Sequence, residues 1–162
     1  MELSKWFEYQ LQSTLDGFIW AVHQLPKERL YTLPPKPLGE WSAAQHVYHM
    51  LEYEEDFALP SMSQWLGVPR VIPEESVHGF TKNQLDVEER LARFERVRRA
   101  EIDMISKFDH DAWGTVMRTN FWGDVSLYWL VCKTYQHTAE HIHNVLSLTL
   151  FWDGDSIRHA SH

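Results

Sequence analysis

Apolar residues recur every three or four positions along four long stretches of the chain. These stretches cover residues 3–24, 42–58, 81–108 and 124–151. Because a helix repeats every 3.6 residues, this spacing places the apolar side chains of each stretch on one face of a helix. No long segment alternates with the two-residue period of a strand, and residues 109–123 are predicted to be irregular. The pattern therefore predicts an all-α protein built as a bundle of four helices.

Local signals define the boundaries of the second helix. Ser42 and Gln45 have the spacing of a capping box, in which each side chain bonds the other residue's backbone amide, so the helix is expected to begin here. Pro60 is expected to break it, because proline lacks the amide hydrogen, and a short helix is expected to continue to Trp65. Residues 67–81 are long for a connection within a bundle, which indicates a crossover or a lid over a pocket.

The length and composition of the chain fit one folded domain. With 162 residues, of which 44% are hydrophobic, it is long enough for a single core. We assign residues 1–152 to one bundle domain and the polar residues 153–162 to a C-terminal tail. The start lacks the features of a signal peptide, no stretch is apolar enough to span a membrane, and the single cysteine, Cys132, excludes an intrachain disulfide. These features predict a soluble, cytoplasmic protein with no membrane partner.

The charge pattern argues against binding to nucleic acid. The formal net charge is −8 with neutral histidines, and an acidic protein repels a phosphate backbone. One segment, residues 88–101, interleaves glutamates with a run of arginines. Charges that alternate in sign at this density predict a solvent-exposed helix face rather than a basic patch. The arginines are Arg90, Arg93, Arg96, Arg98 and Arg99.

The histidines supply the strongest functional signal. His137 and His141 lie four residues apart in the last helical stretch, so they share a helix face that is predicted to point into the bundle. Two imidazoles at this spacing can bind one metal ion, and a third from a facing helix would leave an open coordination position, as in catalytic metal sites. A pair of core histidines satisfied by hydrogen bonds is the alternative interpretation.

The third imidazole would come from the second helix, which offers two candidates. Apolar periodicity favours His46, which lies near the buried stripe, over His49, which lies off its centre. A metal site can open at the edge of a core, so the pattern leaves both candidates open. His143 is expected to point away from the histidines of the last helix, because it follows His141 by only two residues.

Segments around these histidines resemble the signature motifs of the DinB-like superfamily, which includes the YfiT-like metal-dependent hydrolases. Residues 39–42 (GEWS) and 49–52 (HMLE) resemble the motif of its second helix, and residues 137–142 (HTAEHI) resemble the motif of its fourth. The order and length of the predicted helices also agree over nearly the whole chain. The resemblance implies a four-helix bundle with up-down-down-up topology, and a homodimer.

The resemblance also assigns the residues of the site. It implies that His49, His137 and His141 bind the metal, with His46 kept as the fallback. A site made of histidines suits zinc or nickel, with iron as a further candidate, and some relatives use a low-molecular-weight thiol as cosubstrate. Glu52, one turn after His49, is the candidate catalytic residue, as a carboxylate that orients a ligand or accepts a proton. The mouth of the site is expected to include Tyr48, Tyr53, Arg118, Asn120 and Trp122.

Together these features predict a divalent-metal-dependent enzyme that activates water or a small-molecule thiol for hydrolysis or transfer. A non-catalytic bundle that binds a metal or a small molecule is the alternative, and a metal-free interaction protein is a third interpretation. The chain departs from the family in one respect. Many relatives carry adjacent histidines in the last motif, whereas here Glu140 precedes His141, and the sequence leaves open whether Glu140 orients a ligand or faces solvent.

Overall fold

The structure, a computed structural model, describes residues 2–69 and 86–154. These residues form helices α1 (Leu3–His23), α2 (Ala43–Tyr53), α3 (Leu59–Trp65), α4 (Val87–Ile105) and α5 (Leu127–Phe151). A π-helical segment, Glu54–Ala58, joins α2 to α3, and an antiparallel hairpin of β1 (Val116–Thr119) and β2 (Gly123–Ser126) precedes α5. Short 3-10 turns occupy Lys27–Arg29, Lys36–Leu38 and Asp111–Gly114. None of the described helices is both long and apolar enough to cross a membrane.

Contacts between helix ends fix the directions of α1, α4 and α5. Phe7, near the start of α1, packs on Tyr128, at the start of α5, with ring centroids 5.8 Å apart. These two helices therefore run parallel. His23, at the end of α1, lies 3.1 Å from Glu88, at the start of α4. Helix α4 therefore runs in the opposite direction to α1.

The second helix runs antiparallel to α5. Near the start of α2, the side chain of His46 contacts that of His141. At the end of α2, the side chain of Tyr53 contacts that of Thr134, which lies two turns before His141 on α5. Both α1 and α2 make their main helix contacts with α4 and α5, so α1 and α2 lie at opposite corners of the bundle. The directions of the four long helices along the chain are up, down, down and up. The predicted four-helix bundle is therefore confirmed.

The core lies between the apolar faces of the four long helices. Phe18 of α1 packs edge-on against Phe94 of α4, with ring centroids 5.4 Å apart. Each large apolar side chain that is removed from water contributes about 1.5–3 kcal/mol to stability, which is why all four stretches carry the helical period. Further fully buried core residues are Leu11, Leu15, Val47, Met50, Val97, Leu127, Leu130 and Leu148.

Capping boxes begin both α2 and α4. The predicted box is present: the Ser42 hydroxyl accepts from the Gln45 amide at 3.3 Å, and the Gln45 side chain accepts from the Ser42 amide at 2.8 Å. Asp86 and Glu89 form an equivalent pair that sequence reasoning missed. Because of this second box, α4 begins at Val87. The earlier start predicted near residue 81 lies outside the described residues.

Replacing Ser42 with alanine is expected to lower the free energy of unfolding by about 1 kcal/mol, the usual cost of losing an N-cap side chain. Urea unfolding followed by circular dichroism measures this change. The matched substitution Ser13→Ala, at an exposed position inside α1, is expected to alter the free energy of unfolding by less than about 0.5 kcal/mol. Equal effects of the two substitutions would show that the capping box does not stabilise the bundle.

The predicted break at Pro60 is wrong. The chain stays helical through the π-helical segment and into α3, and Pro60 falls in the first turn of α3. A missing amide hydrogen is tolerated there, because the amides of a first turn have no partner within their own helix. The predicted short helix that ends at Trp65 is confirmed as α3.

The prediction that residues 109–123 are irregular is also wrong, because a hairpin forms across its end. The two strands have only four residues each, too few to show a two-residue period in the sequence. The last helix consequently begins at Leu127 rather than near residue 124, and the Ser126 hydroxyl caps it by accepting from the Trp129 amide at 3.1 Å. Most of the 67–81 connection and most of the predicted tail lie outside the described residues, so the proposed lid and the division at residue 152 stay predictions.

The prediction that residues 88–101 form a solvent-exposed face is wrong for three of the five arginines. Arg90, Arg93 and Arg98 are at most 8% exposed. Carboxylates elsewhere in the bundle pair with two of them: Arg93 donates to Glu55, and Arg98 donates to Glu54, both in the π-helical segment. The charge pattern of one helix cannot reveal acids on the helix that faces it, and these acids draw the guanidinium groups inward.

Arg98 is the centre of a buried ionic network beside α5. Arg98, Glu54 and Glu101 are fully buried. Nη2 of Arg98 donates to Glu54 and, at 2.8 Å, to the Thr138 hydroxyl, while Nε lies 3.1 Å from Glu101 without the alignment of a hydrogen bond. Burial, and then the charge of Glu54, raises the pKa of Glu101 well above its usual range. The network thus favours a proton on Glu101. It also bonds Thr138, the residue that follows His137 on α5.

Candidate metal centre

The antiparallel packing of α2 and α5 brings three histidines into one cluster. Nε2 of His49 lies 3.1 Å from Nε2 of His137. His137 and His141 follow each other by one turn of α5, with ring centroids 4.7 Å apart. One ring nitrogen from each of the three residues lies within 4.8 Å of the other two. The three histidines that the family resemblance assigned to the site are therefore together.

His46 lies in the same layer of the bundle but makes a different contact. Its Nδ1 lies 2.8 Å from Nδ1 of His141. His46 is 7% exposed, whereas His49 is half-buried, so periodicity correctly predicted which of the two is deeper. The more buried residue is nevertheless not the one in the cluster, because His49 lies at the edge of the core and contacts His137 from there.

Aromatic side chains cover the clustered imidazoles. The ring of Trp41 lies 5.0 Å from that of His49 and 6.1 Å from that of His141. Tyr53 packs on His137, with ring centroids 4.1 Å apart. Apolar rings at these positions limit the access of water to the nitrogens. Sequence reasoning used Trp41 only as a motif marker, and its place directly before the helix cap was the available signal for this role.

A cavity of about 670 Å³ opens beside the cluster. Its walls include Trp41, Tyr48, Arg90 and, from the cluster, His49. Glu52 also lines the cavity, is half-buried, and accepts a hydrogen bond from the Tyr48 hydroxyl at 3.5 Å. The volume lies within the range of small-molecule pockets, about 300–1,000 Å³. His49 therefore connects the histidine cluster to a space that can hold a ligand.

The other residues expected at the mouth divide into two groups. Tyr53 is buried against His137, and Trp122 packs on Tyr53 with ring centroids 5.9 Å apart. Both therefore belong to the aromatic side chains that pack around the clustered imidazoles. Arg118 and Asn120 are exposed on the hairpin, and Arg118 pairs with Asp124 at 3.2 Å. Neither Arg118 nor Asn120 lines the cavity.

Two polar residues of α5 near the clustered histidines point away from the cluster. Glu140 is exposed and accepts a hydrogen bond from Gln136, one turn earlier on the same helix. His143 is exposed as well, as its offset from His141 predicted. Glu140 therefore faces solvent and does not orient a ligand.

Burial keeps the clustered imidazoles neutral. Burial first, and then the charges of neighbouring histidines, lower the pKa of His46 and that of His137 to about 4, and that of His141 to about 3. Burial also lowers the pKa of His49, although the carboxylate of Glu52 opposes this effect. A neutral imidazole has one nitrogen with a free lone pair, which is the form that binds metals.

The donor set fits a divalent metal ion. Metal–nitrogen bonds of about 2.0–2.1 Å place two nitrogens of a tetrahedral site about 3.3 Å apart, and the Nε2 atoms of His49 and His137 are 3.1 Å apart. Two lone pairs do not face each other at this distance unless a proton or a cation lies between them. Nδ1 of His137 is buried and has no hydrogen-bond partner among the described residues, so no hydrogen bond from that nitrogen fixes the ring. The three histidines can therefore hold a metal.

The metal-free protein is expected to lose stability as the pH falls from about 6.5 to about 4. Histidines of the unfolded chain bind a proton near pH 6.5, whereas in the folded protein the pKa values of His46, His137 and His141 are about 4 or lower. Within this window the unfolded state binds more protons than the folded state, so the free energy of unfolding falls as the pH falls. Urea unfolding at a series of pH values with a chelator present measures the slope.

Two variants identify the source of this slope. His141→Asn removes one buried imidazole and is expected to make the slope shallower. His143→Asn changes an exposed histidine two residues away and is expected to leave the slope unchanged. An identical slope in wild type and His141→Asn would contradict the assignment.

Comparison with known proteins agrees with the fold. The family model of the DinB superfamily matches residues 10–145, which is most of the chain and includes all three clustered histidines. A search of curated proteins finds no match. The length of the family match, the bundle topology and the position of the histidines on α2 and α5 lead to one conclusion. The chain belongs to the DinB superfamily.

Proposed function

We propose that this protein is a metal-dependent enzyme in which His49, His137 and His141 bind one divalent ion. Zinc or nickel is the first candidate, and iron is the next. The observation that carries the proposal is the convergence of three imidazole nitrogens within 4.8 Å of one another. Burial of His137 and His141 and the cavity that begins at His49 support it.

The residues around the proposed metal site suit a nucleophilic reaction. A divalent ion held there would lower the pKa of a bound water or thiol and so supply a nucleophile near neutral pH. Trp41 and Tyr53 cover the imidazoles and limit the access of bulk water. Glu52 faces the same cavity as His49 and can accept the proton that the nucleophile loses. The reaction classes that this arrangement supports are hydrolysis and transfer to a small-molecule thiol.

One observation favours the alternative, a protein that binds a metal or a small molecule without turnover. Glu52 is the only carboxylate among the described residues that line the cavity, and Tyr48 already donates to it. A site with a single candidate base has little further acid or base chemistry to offer. The two functions differ in turnover, which can be measured.

A screen of thiols and electrophiles tests the proposal. The metal-loaded protein is incubated with glutathione, bacillithiol or mycothiol and an aryl chloride, and separately with activated esters. We expect turnover above the protein-free rate that is lost on chelation and in His137→Ala. Stoichiometric metal without turnover in any reaction would favour the binding function instead.

Glu52→Gln tests the candidate base within the same assays. The substitution keeps the shape of the side chain but removes its capacity to accept a proton. We expect kcat to fall by about 100-fold or more, while bound metal stays stoichiometric. An unchanged kcat would remove Glu52 from the mechanism.

The proposal includes a homodimer and a cytoplasmic location. The dimer rests on the family resemblance, and the location rests on the single cysteine, Cys132. Sedimentation of the purified protein would show whether it pairs.

A further inference from the structure

The contact between His46 and His141 has chemical consequences for the cluster. Their Nδ1 atoms lie 2.8 Å apart, and both residues are 7% exposed. Trp41 packs beside both rings, with centroids 5.3 Å from His46 and 6.1 Å from His141. The contact is therefore short, buried and held by packing.

The proton arrangement of this contact follows from the properties of imidazole. A neutral ring carries one N–H donor and one acceptor nitrogen. The Nδ1 of His141 is already engaged with His46, so its Nε2 is the nitrogen left for an ion. A ring that coordinates through Nε2 carries its proton on Nδ1. Nδ1 of His141 must then be the donor, and Nδ1 of His46 the acceptor.

We propose that His46 is a positioning residue for His141: by accepting a hydrogen bond from Nδ1 of His141, it fixes the ring and the tautomer that presents Nε2 to the metal. The inference rests on the metal site of the proposed function. Histidine ligands usually donate their second nitrogen to a carboxylate or a carbonyl. Here the acceptor is a neutral imidazole, which supports the ligand without adding negative charge to the site.

The environment of His137 gives a contrast within the same cluster. Its Nδ1 is buried without a hydrogen-bond partner in the described part of the chain, and the ring of Tyr53 packs on it. Among the clustered histidines, His141 therefore has a hydrogen bond that defines its tautomer and His137 does not. His46 itself stays outside the group of three whose nitrogens converge.

Two substitutions at His46 separate positioning from bulk. His46→Phe keeps a planar ring but removes the acceptor, and we expect zinc affinity, measured by competition with a chromophoric chelator, to fall by about 10–100-fold. His46→Asn places an amide oxygen near the position of Nδ1, and we expect it to restore most of the affinity. His143→Asn is the matched control and is expected to bind zinc as wild type does.

Nitrogen NMR of the zinc-loaded wild type supplies a readout that does not depend on any variant folding. We expect His141 to carry its proton on Nδ1 and to coordinate through Nε2, and His46 to carry its proton on Nε2. Coordination by His46, or wild-type affinity in His46→Phe, would overturn the inference while the metal site stands. Failure of the wild type to bind zinc would overturn both the inference and the proposed function.

Discussion

Replacing His137 with alanine is expected to weaken zinc binding by more than about 100-fold. Loss of a residue that only supports a ligand typically costs about 10–100-fold in affinity, and this substitution removes a ligand itself. Two nitrogens would remain, and the gap left by the imidazole opens beneath the ring of Tyr53. Competition with a chromophoric chelator at neutral pH measures the affinity.

The control for this prediction is His143→Ala on the same helix. His143 is exposed and is not part of the cluster, so its loss is expected to leave zinc affinity at the wild-type value. Circular dichroism of each metal-free variant shows whether the bundle is intact. An unchanged affinity in His137→Ala would place the ion elsewhere.

Replacing Arg98 with methionine is expected to lower the free energy of unfolding by about 3–5 kcal/mol. Arg98 is a buried cation that faces the carboxylate of Glu54 and the carboxyl group of Glu101, and all three residues are fully buried. Methionine fills similar space but leaves Glu54 without its counter-ion in a medium of low polarity. Urea unfolding of the metal-free protein measures the loss.

Two further variants show whether charge, rather than packing, causes this loss. Arg99→Met removes an exposed arginine that pairs with Glu95 on the same helix, and is expected to cost less than about 1 kcal/mol. Adding Glu54→Gln to Arg98→Met removes the stranded charge and is expected to restore part of the stability. Similar losses for Arg98→Met and Arg99→Met would contradict the account of the buried network.

The helical bundle could be predicted because its signal is repeated many times. Each long helix carries several turns of apolar residues, so the 3.6-residue period stands out even where boundaries shift. The cap at Ser42 was predictable because all its atoms lie within four residues. The hairpin was missed because strands of four residues hold too few positions to define a period. The break at Pro60 was predicted wrongly because a proline in the first turn of a helix and a proline that ends a helix look alike in sequence.

The candidate site was predictable on one helix and ambiguous on the other. The spacing of His137 and His141 places both on one face of α5, and they are indeed adjacent. On α2 the apolar period predicts how deeply a side chain is buried, but it does not predict which atoms that side chain contacts. His46 is the deeper residue, yet His49 is the one whose nitrogen joins the cluster, and the family resemblance pointed to it. Metal binding by the cluster stays a prediction.

The ionic network beside the site could not be foreseen from the sequence. Arg98 lies in a segment where charges alternate in sign, a pattern typical of solvent-exposed helices. What buries it is Glu54, which the π-helical segment turns toward the interior. That contact joins residues 44 positions apart, a separation over which charge patterns carry no information.

The metal content of untagged protein, purified natively and measured by elemental analysis, tests the central claim most directly. We predict about one equivalent of a divalent metal per chain in wild type and in His143→Ala, and its loss in His49→Ala. Metal-free wild type, or a full equivalent retained in His49→Ala, would contradict the assignment of His49, His137 and His141 as a metal site.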